Sequence, residues 1–203
     1  QSAVDFGVEP AAEGAKHGAI RYSLAALKNI GAGAVETIVN ERNEKGAFKS
    51  LADFAERVDA KALNKRAIET LAKGGAFDAF NNDRARVAAN ADTILASAQR
   101  RTANEAQGMT DLFGSGGKAT ELVLRSAEGW TPMERLAAEF EAIGFYLSGH
   151  PLDQYDHVLS KLGVRKFTEF ETLTERGATA GRLAGVVIAA REQPRCNATY
   201  DAE

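Results

Sequence analysis

One cysteine and three histidines in 203 residues leave little from which to build a crosslink or a metal centre. Cys196 alone cannot close an internal disulfide, and with His17, His150 and His157 scattered along the chain it cannot complete a closed Cys/His zinc site. Lone histidines are poor evidence for ligands or bases, and nothing around Cys196 marks a nucleophile. Trp130 and four tyrosines are too sparse for a platform on which single strands stack. No apolar run approaches the ~20 residues of a membrane span, and Gln1 to Pro10 lacks the basic-then-apolar layout of a signal peptide. The expectation is a cytoplasmic protein with no membrane partner.

What is present is a core-forming composition, 44% apolar and 26% charged, which excludes collagen-like and fully disordered classes. The formal charge of −3 conceals an uneven distribution. Between residues 21 and 101, fourteen Lys and Arg stand against ten Asp and Glu, while both flanks are acidic. So small an excess cannot hold nucleic acid by bulk field, so phosphate binding there has to rest on placed backbone and side-chain groups.

The opening is interrupted by Gly7, Gly14 and Gly18, which suggests extended or looped structure leading into Ile20-Arg21-Tyr22, the tail of something preceding. Leu24 and Leu27, then Val35, Ile38 and Val39, carry helical spacing on either side of Gly31-Ala32-Gly33. Ser50, with Asp53 three residues on, starts a further helix whose stripe is Leu51, Phe54, Ala55 and Val58. Leu63 to Asp78 repeats the plan of helix and glycine pair, followed by a helix carrying Val87, Ala91, Ile94, Leu95 and Ala98, so the segment reads as a duplicated unit. Residues 102–130 lose periodicity and contain Gly114-Ser115-Gly116-Gly117, a connector composition. Thr131-Pro132-Met133-Glu134 is a strong helix start, with Leu136, Phe140 and Ile143 as its stripe and Gly144 at its end. A short helix over Gln154 to Leu162 and a strand over Leu183 to Ala190 complete the expectation.

A glycine bend that opens a helix exposes unpaired N–H groups at the positive end of the helix dipole, and a phosphate oxygen fits there. At Lys28-Asn29-Ile30-Gly31-Ala32-Gly33, side chains in place of either glycine would keep a phosphodiester from the amides, and Lys28 adds charge. A lone Gly-x-Gly more often makes only a turn; a second bend at Lys73-Gly74-Gly75 shifts the balance toward two seats for the two backbones of one duplex.

The run Arg21 to Val39, then Phe48 to Phe54, Leu63 to Arg66 and Gly75 to Asp78, resembles the tandem helix-hairpin-helix region of the bacterial replicative DNA polymerase III alpha subunit. Gly144 to Tyr155 is similar to the segment before that family's OB domain, and Gly181 to Ile188 to its first OB strand. The resemblance implies a mainly α chain. Residues 1–20 would be the tail of a preceding domain, 21–101 the tandem helix-hairpin-helix domain, 102–130 a linker, 131–177 a helical segment and 178–203 the truncated start of an OB-type β domain. It further implies sequence-independent grip on double-stranded DNA through Gly31, Gly33, Gly74 and Gly75 with Lys28, Lys65, Arg66, Lys73 and Arg84. In the linker, Met109, Asp111, Leu112 and Phe113 occupy the place of a sliding-clamp peptide. Its usual glutamine position falls on Met109, while Leu112 and Phe113 remain suited to an apolar pocket on a partner.

No set of carboxylates able to hold two metal ions is visible, so catalysis is not expected of these residues. Asp78, Asp83, Asp153 and Asp156 read as caps or solvated charges. Magnesium, deoxynucleoside triphosphates and other replicase subunits are implied only for the larger polymerase, and no cofactor for this segment. The error-prone paralogue of that subunit and a noncatalytic protein-binding scaffold are the alternatives.

Overall fold

A computed structural model describes residues 3–11, 18–106, 122–188 and 190. The sequence-predicted Met109, Asp111, Leu112 and Phe113 lie outside the described residues, as do His17, Cys196 and the glycines at 114, 116 and 117. The chain divides into two compact units, residues 1–148 and 149–203.

The first unit opens with the antiparallel pair β1 (Gly7–Glu9) and β2 (Ala19–Arg21), in which Val8 faces Ile20. A single 3-10 turn, Leu24–Ala26, replaces the helix expected after Ser23; the Ser23 hydroxyl caps it by accepting from the Ala25 N–H. Then come α1 (Ala32–Lys45), α2 (Leu51–Arg57), α3 (Lys65–Lys73), α4 (Arg84–Ala89), α5 (Ala91–Ala106) and α6 (Pro132–Ile143). Caps read from sequence are present as bonds. Ser50 accepts from the Asp53 N–H, and Thr131 and Glu134 form a reciprocal capping box; Asn64, a cap not read from sequence, accepts from the Ala67 N–H. Glu134 is held below the ordinary carboxylate range by its bonds to the Thr131 backbone N–H and hydroxyl.

One core joins these elements. Val35, Ile38 and Val39 of α1 meet Phe54 and Ala55 of α2, Ile68 and Leu71 of α3, and Ile94 and Ala98 of α5. Arg57 fastens the α1–α2 connection: its guanidinium donates to the Gly46 and Glu41 carbonyls at 2.8 and 3.0 Å and stacks 4.4 Å over the Phe48 ring.

Two expectations about organisation change. The helix expected through Val87 to Ala98 breaks at Asn90, whose buried side-chain amide bonds the connector. Its Nδ2 donates to the Arg125 carbonyl (3.0 Å) and its Oδ1 accepts from the Arg125 N–H (2.8 Å). Arg86 adds a bond to the Leu124 carbonyl, and Leu124 is buried. Residues 122–130 are thus docked on the helical body, α5 runs past residue 101, and α6 belongs to the same unit as the hairpins.

The second unit contains a 3-10 turn, Asp153–Tyr155, followed by α7 (Asp156–Lys161) and α8 (Phe167–Glu175). No strand forms over the described part of Leu183 to Ala190. An apolar β-branched run needs a partner ladder to become a strand, and none is supplied among the described residues.

Candidate nucleic-acid interface

The two glycine bends, similar in sequence, are different objects. At the first, α1 begins at Ala32 with Gly31 as its N-cap, and a glycine cap has no side chain to bond the first-turn amides. Ala34 and Val35 donate to the Gly31 carbonyl, whereas the N–H groups of Gly31, Ala32 and Gly33 have no partner among the described residues. All three residues are exposed, and a Cβ added at Gly31 or Gly33 would meet nothing within 4 Å. Neither glycine is needed to turn the chain: Gly31 has φ −72°, and the left-handed residue of the bend is Asn29 at φ 61°. Both glycines thus stand at exposed positions with open space where a side chain would be, beside amides without a partner among the described residues.

The second bend is closed. Gly74 donates to the Thr70 carbonyl, Gly75 to Ala72 and Ala76 to Leu71, the pairing of a helix C-terminus wound up on its own carbonyls. Gly75 takes φ +79°, which explains the glycine. A Cβ at Gly74 would lie 3.2 Å from Leu27 Cδ2, so this glycine serves packing against the first bend. The next helix, α4, starts only at Arg84, and its cap is Asp83, whose carboxylate already accepts from the Arg86 N–H. A carboxylate at that end repels a phosphate. The expectation that Gly74 and Gly75 offer a second seat is therefore corrected: their amides are spent internally.

The predicted cations separate likewise. Lys28 is exposed beside the open bend. Lys65 and Arg66 stand exposed at the start of α3; Lys65 pairs with Asp92 at 2.5 Å, which raises its pKa, and Arg66 makes no ion pair among the described residues. Lys73 pairs with Glu141 at 2.8 Å. Arg84 is overturned as a phosphate ligand. It is buried, and its guanidinium donates to Asp78 at 2.7 Å, to Glu139 at 3.0 Å and to the Lys73 carbonyl at 3.1 Å. The Asp78 and Glu139 carboxylates outweigh its burial and raise its pKa. Arg84 is a structural ion.

Glu139 was not singled out by sequence reasoning, although it falls on the stripe of Leu136 and Ile143 and so was destined for the interior. Burial opposes its ionisation, but the Ser148 and Leu147 N–H groups and Arg84 together hold its carboxyl below the ordinary range. Among the described residues no three His, Cys, Asp or Glu side chains converge on a common point. Asp78 is engaged by Arg84 and Arg135, and Asp83 and Asp153 bond backbone N–H groups.

An exposed, unpartnered set of amides opening a helix after a short helical turn defines a helix-hairpin-helix element, and a family model described as "Helix-hairpin-helix motif" matches residues 1–87. Over nearly its whole length the chain is similar to curated proteins named DNA polymerase III subunit alpha. It is 38% identical to that of Caulobacter vibrioides over 95% of this chain and 16% of the relative. The Neisseria meningitidis protein is 40% identical over 85% and 14%, and that of Escherichia coli K12 35% identical over 86% and 15%. The chain belongs to the DNA polymerase III alpha subunit family and spans about one-seventh of the length of these relatives. No helix among the described residues is long and apolar enough to cross a membrane.

Proposed function

We propose that residues 21–101 bind double-stranded DNA without regard to sequence, with the Gly31-Ala32-Gly33 amides seating one backbone phosphate. The observation that carries this reading is the pair of glycines at φ-permissive positions over open space. Since the turn does not need them, close approach of a large oxygen-bearing group is the remaining physical reason for lacking a Cβ. Lys28, Lys65 and Arg66 supply charge; the contribution of one seat rather than two means that these side chains matter more than the duplicated plan suggested.

The polymerase likeness extends the reading. In the larger protein this segment would hold the product duplex during template-directed DNA synthesis in replication, with Met109 to Phe113 docking on a sliding clamp and other replicase subunits nearby, in the cytoplasm. The residues after 148 would lead into its OB domain. That synthesis would use magnesium in the larger protein; among the described residues no three His, Cys, Asp or Glu side chains converge to hold it.

The test is titration of the chain with duplexes of unrelated sequence at several salt concentrations. Equal affinities that fall as salt rises, and a loss on Gly31→Val, support the reading; no binding at low salt leaves a protein-binding scaffold as the better account. For the connector, retention of the chain by a sliding clamp should disappear with Phe113→Ala.

A further inference from the structure

The open bend rests on a helix more than a hundred residues away in sequence. Lys28 donates its N–H to the Ala142 carbonyl at 3.0 Å, and the Tyr22 hydroxyl donates to the Ile143 carbonyl at 3.4 Å. Both carbonyls lie in the last turn of α6, where no intrahelical N–H remains to take them, so the bend itself caps this helix. The Lys28 ammonium stands 6.0 Å from the centroid of the Phe140 ring, at the negative end of the α6 dipole. Leu27 and Ile30 share the core with Ala142 and Ile143. A displacement of α6 therefore displaces the segment from Lys28 to Gly33.

One carboxylate fixes where α6 sits. Glu139 is 1% exposed; its Oε2 accepts from Arg84 Nη1 at 3.0 Å, and its Oε1 accepts from the Leu147 and Ser148 N–H groups at 2.5 and 2.7 Å. Arg84 in turn grips Asp78 and the Lys73 carbonyl, the end of α3. Apolar packing would hold two helices together as firmly as a buried ion pair does. What the pair adds is direction: three bonds of fixed geometry set the position of α6 against α4, the closed bend and the turn after α6.

We infer that Glu139 is a positioning residue of the duplex-binding surface, which through α6 sets the place of the Lys28 backbone and the Gly31–Gly33 amides. The inference rests on the DNA-binding reading above and adds which residue sets that site's geometry. It also assigns the closed bend a part in binding as the anchor of the lever.

The full chain is compared as wild type, Glu139→Ala and Glu139→Gln, with Ile94→Ala as a core variant on α5. Each is used where circular dichroism shows it folded. Duplex affinity and hydrogen exchange at the Lys28 and Asp53 amides are measured by NMR. Glu139→Ala should raise Kd about tenfold, the scale of removing one well-placed hydrogen bond, and speed exchange at Lys28 by a similar factor. Exchange at Asp53, capped by Ser50, should not change. Glu139→Gln keeps an acceptor for the Leu147 and Ser148 amides and should lose less; should the alanine variant fail to fold, the glutamine variant carries the comparison. Unchanged Lys28 exchange, or a loss of affinity shared equally by Ile94→Ala, overturns the inference while leaving the binding reading intact. A wild type that binds no duplex sinks that reading instead, and Lys28 exchange still decides whether Glu139 sets the bend.

Discussion

Asn29 and Gly33 show how much a single backbone position determines at the open bend. Asn29 bears the positive φ, at 61°, so a β-branched replacement should strain the turn. Asn29→Val is expected to lower stability by about 1–2 kcal/mol in urea unfolding, whereas Asn29→Gly should be nearly neutral. Gly33 lies within the first turn of α1 with open space around it, so Gly33→Ala should stabilise the helix by roughly 0.5 kcal/mol. On the proposed reading the same methyl group would stand where a phosphate oxygen approaches. Thermal melting and duplex titration should therefore move in opposite directions for this one variant, and a Gly33→Ala chain that binds as tightly as wild type would remove the reason for the glycine. At this scale the sequence was informative that the Gly31-Ala32-Gly33 bend opens a helix, because the cap and the apolar spacing after it are local features. It was misleading about Gly74 and Gly75, whose amides turn back onto the carbonyls of their own helix end, and about Arg84, whose meeting with Glu139 no local pattern specifies.

Among the elements, α6 is attached through a buried ion pair, Glu139 with Arg84. Glu139 has a folded-state pKa below its ordinary 4.5, so the stabilisation it contributes is complete above that value and is lost as pH falls through the depressed one. Urea midpoints measured from neutral pH down through the acid range should decline more steeply for wild type than for Glu139→Gln, which has no proton to take up there. Replacing the residue outright with alanine leaves Arg84 buried with Asp78 alone and should destabilise by on the order of 3 kcal/mol at neutral pH. The closed bend offers a second element-level expectation. Gly75 has φ +79°, and a Cβ there would overlap Arg84 Nη2 and stand 2.7 Å from its Cζ. Gly75→Ala should therefore lower the melting temperature, at a cost of about 1–3 kcal/mol.

Among the described residues of the molecule, the buried core lies between Leu27 and Ile143, inside the first unit. A chain ending at Ser148 should keep the cooperative melting transition of the full chain and its duplex affinity; loss of either would show that residues 149–203 contribute to the fold or the site. With one phosphate seat and about three engaged cations, the logarithm of the binding constant should fall with the logarithm of salt concentration at a slope of about −3. A slope near zero would mean that the basic excess of residues 21–101 is taken up internally, as it visibly is at Arg57 and Arg84.

The amino-acid sequence alone determined the helical class, the caps at Ser50, Thr131 and Gly144, the apolar stripes and the family likeness, because each of these depends on residues within a few positions of one another. The closed bend's amides are taken by the carbonyls of its own helix end, a local outcome, while tertiary structure alone decided what surrounds each of the two bends. Arg84 folds back over the second bend and Asp83 caps α4, against a first bend whose glycine cap has no side chain to bond the amides and whose support is the end of a helix a hundred residues further on. Contacts at such separation are set by the packing of the core, and a reading of neighbouring residues does not reach them.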